Sequence, residues 1–208
     1  MNLAQQVGSR LRELRVERGL SLSELARRSG VGKGTLSELE AGRRNATLET
    51  LYALATGLGA PLSAVIGPEP TRAPLSGRAV DAVLVERYED PAAVTEIYRI
   101  RIRAGAVQES DAHLPGTEEH LIVLSGTARV GAASAPVEAG PGEHAHWRAD
   151  IPHTYGAVSG AVEAVLTVRH PARVAPPQPP QPLGKETFES SSETSQTRRA
   201  SSALRRRE

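Results

Sequence analysis

The sequence predicts a chain that is helical first and β-structured second, with a short break between the two parts. Three observations carry this. Apolar residues recur at helical spacing up to residue 66, and each run is bracketed by capping residues and glycines. Residues 67–77 contain Pro68, Pro70 and Pro74. From Val80 onward the apolar pattern changes to period two, the mark of half-buried strands.

The elements follow in order. Leu3, Val7, Leu11 and Leu14 form the apolar stripe of a first helix, which Gly19 ends. Ser21 caps the second, and Glu24 three residues on completes a capping box. Leu22, Leu25 and Ala26 are its apolar stripe, and Gly30 stops it after two to three turns. A short helix is expected from Lys33 to Glu40, closed by Gly42. Thr47 caps a fourth carrying Leu48, Leu51, Leu54 and Ala55, with Gly57 and Gly59 beyond, and a fifth runs from Pro61 to Ile66 with proline at its first position. After the 67–77 linker, Val80, Val83, Val85 and the alternating run Ile97 to Arg103 read as strands. Leu121 to Leu124, Ala128 to Val130 and Val162 to Val168 are further short apolar runs between glycine-containing turns, which together suggest an antiparallel sandwich or barrel over residues 78–172. Residues 173–208 turn Pro/Gln-rich, then Ser/Thr-rich, then Arg-rich, and are expected to be a disordered tail because little there offsets the entropy of ordering.

Composition narrows the function. The chain has no cysteine, so disulfides and thiolate metal sites are excluded and any metal would need His, Asp or Glu. Arg10, Arg12 and Arg15 interrupt the first apolar residues, unlike a signal peptide, and no run approaches the roughly 20 apolar residues of a membrane span. The expectation is a soluble cytoplasmic protein with no membrane partner. The formal charge of +1 hides an asymmetry: residues 1–66 carry nine basic and six acidic side chains, residues 78–170 eight and thirteen. The first part is therefore the candidate for a polyanionic partner.

Residues 21–42 have the parts of a helix-turn-helix, two short helices joined by a tight turn so that the second can enter a groove about 12 Å wide. Ala26 is small where the helices cross, Gly30 marks the turn, and Val31, Leu36 and Leu39 share one face. The strings Leu25-Ala26-Arg27-Arg28-Ser29-Gly30-Val31 and Leu36-Ser37-Glu38-Leu39-Glu40-Ala41-Gly42-Arg43-Arg44-Asn45 resemble the lambda-repressor-like (Xre) family over about residues 7–66. The resemblance departs at Gly32, where a polar residue is usual, and at Ala46, often proline. It implies a five-helix domain at residues 1–66, binding the operator as a homodimer. It also implies that Lys33, Gly34 and Glu38 stand where base-reading side chains project, flanked by Thr35 and Ser37. Lys33 suits guanine and Glu38 the cytosine amino group. Glu38 has the alternative of orienting Arg43 or Lys33. Ser21, Arg43, Arg44 and Asn45 complete the candidate DNA surface, the last three where the chain meets phosphates.

Further on, Gly105, Asp111, His113, Glu119 and Gly126, then Gly142, Arg148, Asp150, His153 and Ala157, fall at the spacing of the two cupin motifs. Asp111 stands for the first His, Arg148 for Pro, Asp150 for Gly and Ala157 for Asn, and the His113–Glu119 gap is one residue longer than the commonest form. The segment resembles cupin sensors fused to Xre domains, a double-stranded β-helix (jelly-roll) barrel. That resemblance makes Asp111, His113, Glu119 and His153 the metal-ligand candidates, for zinc, iron or manganese. His113 and His153 are also candidates for an effector pocket, and in a chain with 3% aromatics Trp147 and Tyr155 are candidate walls of it, with filling the barrel as their alternative role. Asp111 and His113, two apart on a strand, would face the same way. Glu118 is the alternative inward carboxylate, with the spacing to Gly126 favouring Glu119. His120 is expected outside, and His144 and His146 at the surface in a turn before Trp147.

The reading that joins these is a regulator, not an enzyme: a repressor whose cupin domain senses a small-molecule effector and modulates operator binding. A metal-dependent cupin enzyme carrying a DNA-binding domain is the second reading. The third is an antitoxin or nucleoid-type binder, to which Arg198, Arg199 and Arg205 to Arg207 would add phosphate contacts.

Overall fold

The computed structural model describes residues 3–67 and 74–172. The expected tail at 173–208 and the middle of the linker lie outside the described residues.

Among the described residues, five helices come first: α1 Leu3–Glu17, α2 Leu22–Ser29, α3 Lys33–Glu40, α4 Leu48–Leu58 and α5 Leu62–Ile66. Their ends follow local chemistry. The Ser21 hydroxyl accepts the Glu24 N–H and the Thr47 hydroxyl accepts the Thr50 N–H, each satisfying a donor that the first helical turn leaves over. The Glu24 carboxylate turns to Arg27 and Arg28. Gly30 and Gly59 close α2 and α4 in the left-handed region, where a Cβ would be strained. Pro61 precedes α5 as its cap instead of opening its first turn.

Leu11, Leu14, Leu25, Leu36, Leu39, Leu51 and Leu54 are buried together at the centre of this bundle. Two further contacts set α3 against α1. Gly8 lies so close that an added Cβ would stand 2.2 Å from the Leu39 carbonyl oxygen. About two turns further along α1, the Arg15 guanidinium clamps the Glu40 carboxylate through two hydrogen bonds of 2.7 and 2.8 Å, both side chains largely buried. Arg15 also donates to the Leu20 carbonyl at 2.9 Å, so the brace ties in the turn after α1.

Eight strands follow: β1 Leu75–Ser76, β2 Val80–Glu89, β3 Ala93–Ile102, β4 Val107–Ser110, β5 Glu118–Ala132, β6 Val137–Ala139, β7 His144–Arg148 and β8 His153–Pro171. All pairings are antiparallel. The order is β1-β2-β3-β8-β5-β6, with β4 also on β8 and β7 also on β5. The two apolar runs around Gly126 are one long strand, β5. It stays continuous because register shifts between Val123 and Ala128 bend it without ending its pairing to β8. Gly126 is required at the bend: its φ is +79° and a Cβ would meet the Ala161 carbonyl at 2.5 Å. The long pair β5–β8 thereby joins β3 at one end to β4 at the other.

One continuous apolar core runs from the helices into the sheet, through Leu48, Leu62 and Val65 to Leu75, Val80, Ala82 and Tyr98. The chain re-enters the sheet domain on fixed contacts. Glu49 of α4 accepts the Arg78 N–H at 2.5 Å, and Gln108 of β4 accepts the N–H groups of Ala79 and Val80 at 3.1 and 3.2 Å.

Replacing Gly8 by Ala tests the α1–α3 approach. Urea unfolding should show Gly8→Ala less stable by about 2 kcal/mol, despite alanine's helix preference. Gly34→Ala, where nothing lies within 4 Å of the added Cβ, should be neutral or stabilising. Equal effects of the two substitutions would contradict the close approach.

Candidate nucleic-acid interface and inner cavity

On α3 the side chains divide cleanly. Leu36 and Leu39 are buried, while Lys33, Gly34, Ser37 and Glu38 are exposed and Thr35 is half-buried. Arg43, Arg44 and Asn45 follow the helix and are exposed, as is Ser21 at the start of α2. The turn that presents the arginines is closed by the Arg43 N–H donating to the Glu38 carbonyl at 3.0 Å. The Glu38 carboxylate lies 3.5 Å from the Arg44 guanidinium, not from Arg43 or Lys33. Both side chains are more than half exposed, so water screens the pair and either partner can leave it at little cost.

The second site is built around Glu119. Glu119 opens β5 on its inner face and is fully buried. His113 Nε2 lies 3.2 Å from one carboxylate oxygen and His153 Nε2 lies 3.7 Å from the other. The Tyr155 hydroxyl donates to the second oxygen. One ligand atom from each of His113, Glu119 and His153 lies within 4.8 Å of the others. Asp111 is not in this group. β4 ends at Ser110, so the alternation that would have turned Asp111 and His113 the same way lapses: His113 is buried and Asp111 is exposed. Trp147, 6 % exposed, stands opposite Glu119 on β7 with its ring 6.5 Å from that of His153 and 5.8 Å from that of Tyr155. The four expected pocket residues thus share one inner surface. Glu118, the alternative carboxylate, faces outward beside His120 and His146.

The electrostatics of this cluster are specific. Burial pushes the Glu119 carboxyl up, but the close approach of the His113 imidazole, the neighbouring His153 and the Tyr155 hydroxyl outweigh it and hold the acid below its ordinary range. Burial lowers His153, partly opposed by Glu119. His153 Nδ1 lies 2.9 Å from the Ile151 carbonyl and donates to it, which leaves the Nε2 lone pair facing Glu119. That Nε2 and Glu119 Oε1 are both buried without a hydrogen-bond partner. Two imidazoles and a carboxylate with separations near the edges of a coordination polyhedron, with a backbone carbonyl fixing one tautomer, fit a divalent metal.

A residue from the helical domain closes this site. Tyr52 of α4 stacks flat on His113, ring centroids 4.3 Å apart and planes within 11°. Behind it, Leu48, Tyr98, Ile100, Gln108, Tyr155 and Leu166 enclose a cavity of about 20 Å³, room for one or two waters. In front, an open cleft of about 240 Å³ runs between the helices and the Glu109–His113 loop, lined by Arg28, Glu49, Tyr52 and Asp111 among others. Burial and the nearby carboxylates of Glu119 and Glu96 raise the Tyr52 hydroxyl well above its ordinary range.

A second buried carboxylate fastens the domains. Glu96 of β3 accepts the backbone N–H of Ser63 in α5 at 2.7 Å through one oxygen and the Tyr98 hydroxyl at 2.7 Å through the other. His170 Nε2 lies 3.5 Å away, and its Nδ1 is 3.1 Å from the Thr117 hydroxyl. Arg87 reaches across to the Ser63 hydroxyl at 3.0 Å. Burial raises the Glu96 carboxyl, yet His170 and Ser63 together hold it below the usual range. The sequence reading passed over Tyr52, Glu96 and His170. A usable signal existed for Glu96, which lies in phase with inward-facing Tyr98, Ile100 and Ile102.

A helix-turn-helix family model, HTH_3, matches residues 11–65. The HTH-type transcriptional regulator SutR of Escherichia coli is 32% identical over 157 residues, covering 74% of this chain and 88% of SutR. The solved structure of an HTH_3 family transcriptional regulator from Vibrio cholerae is similar at a TM-score of 0.72 and 29% identity, covering 82% of this chain and 98% of that one. The Cupin_2 domain of an XRE family regulator from Enterobacter cloacae is similar at 25% identity and a TM-score of 0.35, covering 38% of this chain and 83% of that domain. The chain belongs to the family of HTH-type transcriptional regulators that includes SutR, with a helical DNA-binding region followed by a sheet-rich region.

The lowered carboxyl of Glu96 has a pH signature. A carboxyl whose folded pKa is depressed contributes stability that is complete above its unfolded value, about 4.3, and is lost as the pH falls through the folded value. Glu96→Gln should unfold at lower temperature near neutral pH and lose less stability than the wild type on acidification below about pH 4. Parallel melting curves from pH 7 downward check this, and identical acid limbs would contradict it.

Proposed function

We propose that this regulator binds an operator through α3 as a homodimer and that occupancy of the Glu119 cavity adjusts that binding through Tyr52. The observation that carries the reading is the Tyr52–His113 stack. It places a side chain of the DNA-binding domain directly on a candidate ligand-binding residue of the sheet domain. A cavity of about 20 Å³ admits a water or an ion, whereas organic ligands occupy pockets of roughly 300 Å³ or more. An organic effector that fills this cavity must therefore displace the Tyr52 ring. An ion can enter by turning the His113 ring, on which Tyr52 rests. In either case the effector interacts differently with the docked and undocked arrangements, the requirement for a shift between states.

His113, Glu119 and His153 would hold a divalent metal, which would supply a positive charge to the buried carboxylate and an anchoring point for an oxygen-bearing ligand. The chain's own residues do the rest. Tyr155 orients Glu119, Ile151 fixes the His153 tautomer, and Tyr52 excludes water. The same donor set favours metal-dependent catalysis as a second reading. The cavity behind Tyr52 leaves no room for a substrate, which would have to use the open cleft of about 610 Å³ that His153 borders.

On the DNA side, Lys33 and Glu38 read bases and Arg43, Arg44 and Asn45 grip phosphates, with Ser21 at the backbone beside α2. Lys33→Ala should lose affinity for a selected operator and little for random DNA, whereas Arg43→Ala should weaken both alike. Competition binding at fixed salt checks this, and equal losses on both DNAs for Lys33→Ala would refute its role.

The Tyr52 link is tested without knowing the effector, because coupling is reciprocal. Trp147 is the single tryptophan of the chain, and its ring lies 6.5 Å from that of His153. Operator binding should shift its emission in the wild type and leave it unchanged in Tyr52→Ala. The same shift in both proteins would exclude Tyr52 as the carrier.

A further inference from the structure

The proposed function uses one of the two histidine clusters. The other lies on the opposite face of the same strands. In the β5–β7 pairing, Glu119 stands opposite Trp147 and both point inward; one residue on, His120 stands opposite His146 and both point outward. The next outward position on β7 is His144, and the next on β5 in the other direction is Glu118. The sequence reading put His144 and His146 in a turn, but both lie on β7, and this places three of the chain's six histidines on one small outer patch.

The three rings touch. His120 and His146 stack with centroids 4.3 Å apart, and His120 Nδ1 lies 3.1 Å from His144 Nε2. Glu118, His120 and His146 each offer a ligand atom within 4.8 Å of the others. Imidazoles packed this closely repel if protonated; when neutral, His120 and His144 share one N–H···N hydrogen bond, and a cation bound among the rings would add attraction where a proton adds repulsion. His144 and His146 are exposed, so their rings can turn to bring the nitrogens to the separations of about 3.3 Å that zinc–nitrogen bonds of 2.0–2.1 Å require.

We propose that Glu118, His120, His144 and His146 form a second, external metal site selective for a borderline divalent transition ion of the zinc class. Nitrogen-rich ligation with one carboxylate suits zinc and excludes magnesium and calcium, which take oxygen ligands. The ion staples β5 to β7 from outside, on the same register that sets Glu119 opposite Trp147 inside. Open to solvent, it exchanges with the medium, unlike any ion behind Tyr52.

The test uses the full-length protein and zinc or cobalt(II) alone. Equilibrium dialysis of zinc should show at least one ion more per chain for the wild type than for His146→Ala. Both His146 and His144 are exposed, so their replacement should leave the fold intact by circular dichroism. His146→Cys should restore the ion, and with cobalt(II) it should add a thiolate-to-cobalt absorption band in the near ultraviolet that only a ligand at this position can produce. Equal zinc stoichiometry in the wild type and His146→Ala would overturn the proposal. So would the absence of the cobalt–thiolate band in His146→Cys.

Discussion

The contact between Tyr52 and His113 joins the helices to the sheet. A stacked ring pair by itself contributes on the order of 1 kcal/mol beyond its burial. Its weight comes from position. Tyr52 is the wall of a cavity whose other walls belong to the sheet, so α4 and the sheet domain share a core. The backbone of α5, held by Glu96, and the Arg78 N–H, held by Glu49, keep that wall seated.

Two buried carboxylates, Glu96 and Glu119, lie on either side of this seam. Each would be costly to bury alone, and each is compensated by a histidine and a tyrosine hydroxyl. Their difference is instructive. Glu96 spends both oxygens on hydrogen bonds, one of them to the helical domain, and is structural. Glu119 keeps one oxygen without a hydrogen bond, facing His113, while His153 keeps its Nε2 unpaired on the other side. An arrangement that leaves buried polar atoms unpaired beside one another is poised for a ligand.

Much of this was legible in the residues. Ser21, Gly30, Thr47 and Gly59 announced helix ends because capping is local chemistry, and the alternating run after Ile97 announced a strand because burial has a period of two. The resemblance to the cupin motifs implied that His113, Glu119 and His153 would converge inside. What escaped depends on which surfaces meet. Arg15 and Glu40 look like ordinary surface charges on their own helices until α1 and α3 pack. Tyr52 sits beside Leu51, off the leucine stripe, and nothing local says that a second domain covers it. Asp111 followed the strand rule into the wrong environment because β4 stops one residue earlier. His120 faces outward as its place beside Glu119 implies, whereas His144 and His146 lie on β7 where a turn was expected.

The central claim is that the helical domain is docked on the sheet domain and that Tyr52 and Glu96 hold it there. Spin labels report this directly, since the chain has no cysteine of its own and Ser23→Cys and Glu138→Cys are exposed positions on α2 and β6. Double electron–electron resonance on the labelled pair should give one narrow distance distribution. It should broaden when Tyr52→Ala and Glu96→Gln are added. A distribution already as broad without those two substitutions would mean that the domains are only tethered, and would contradict the account.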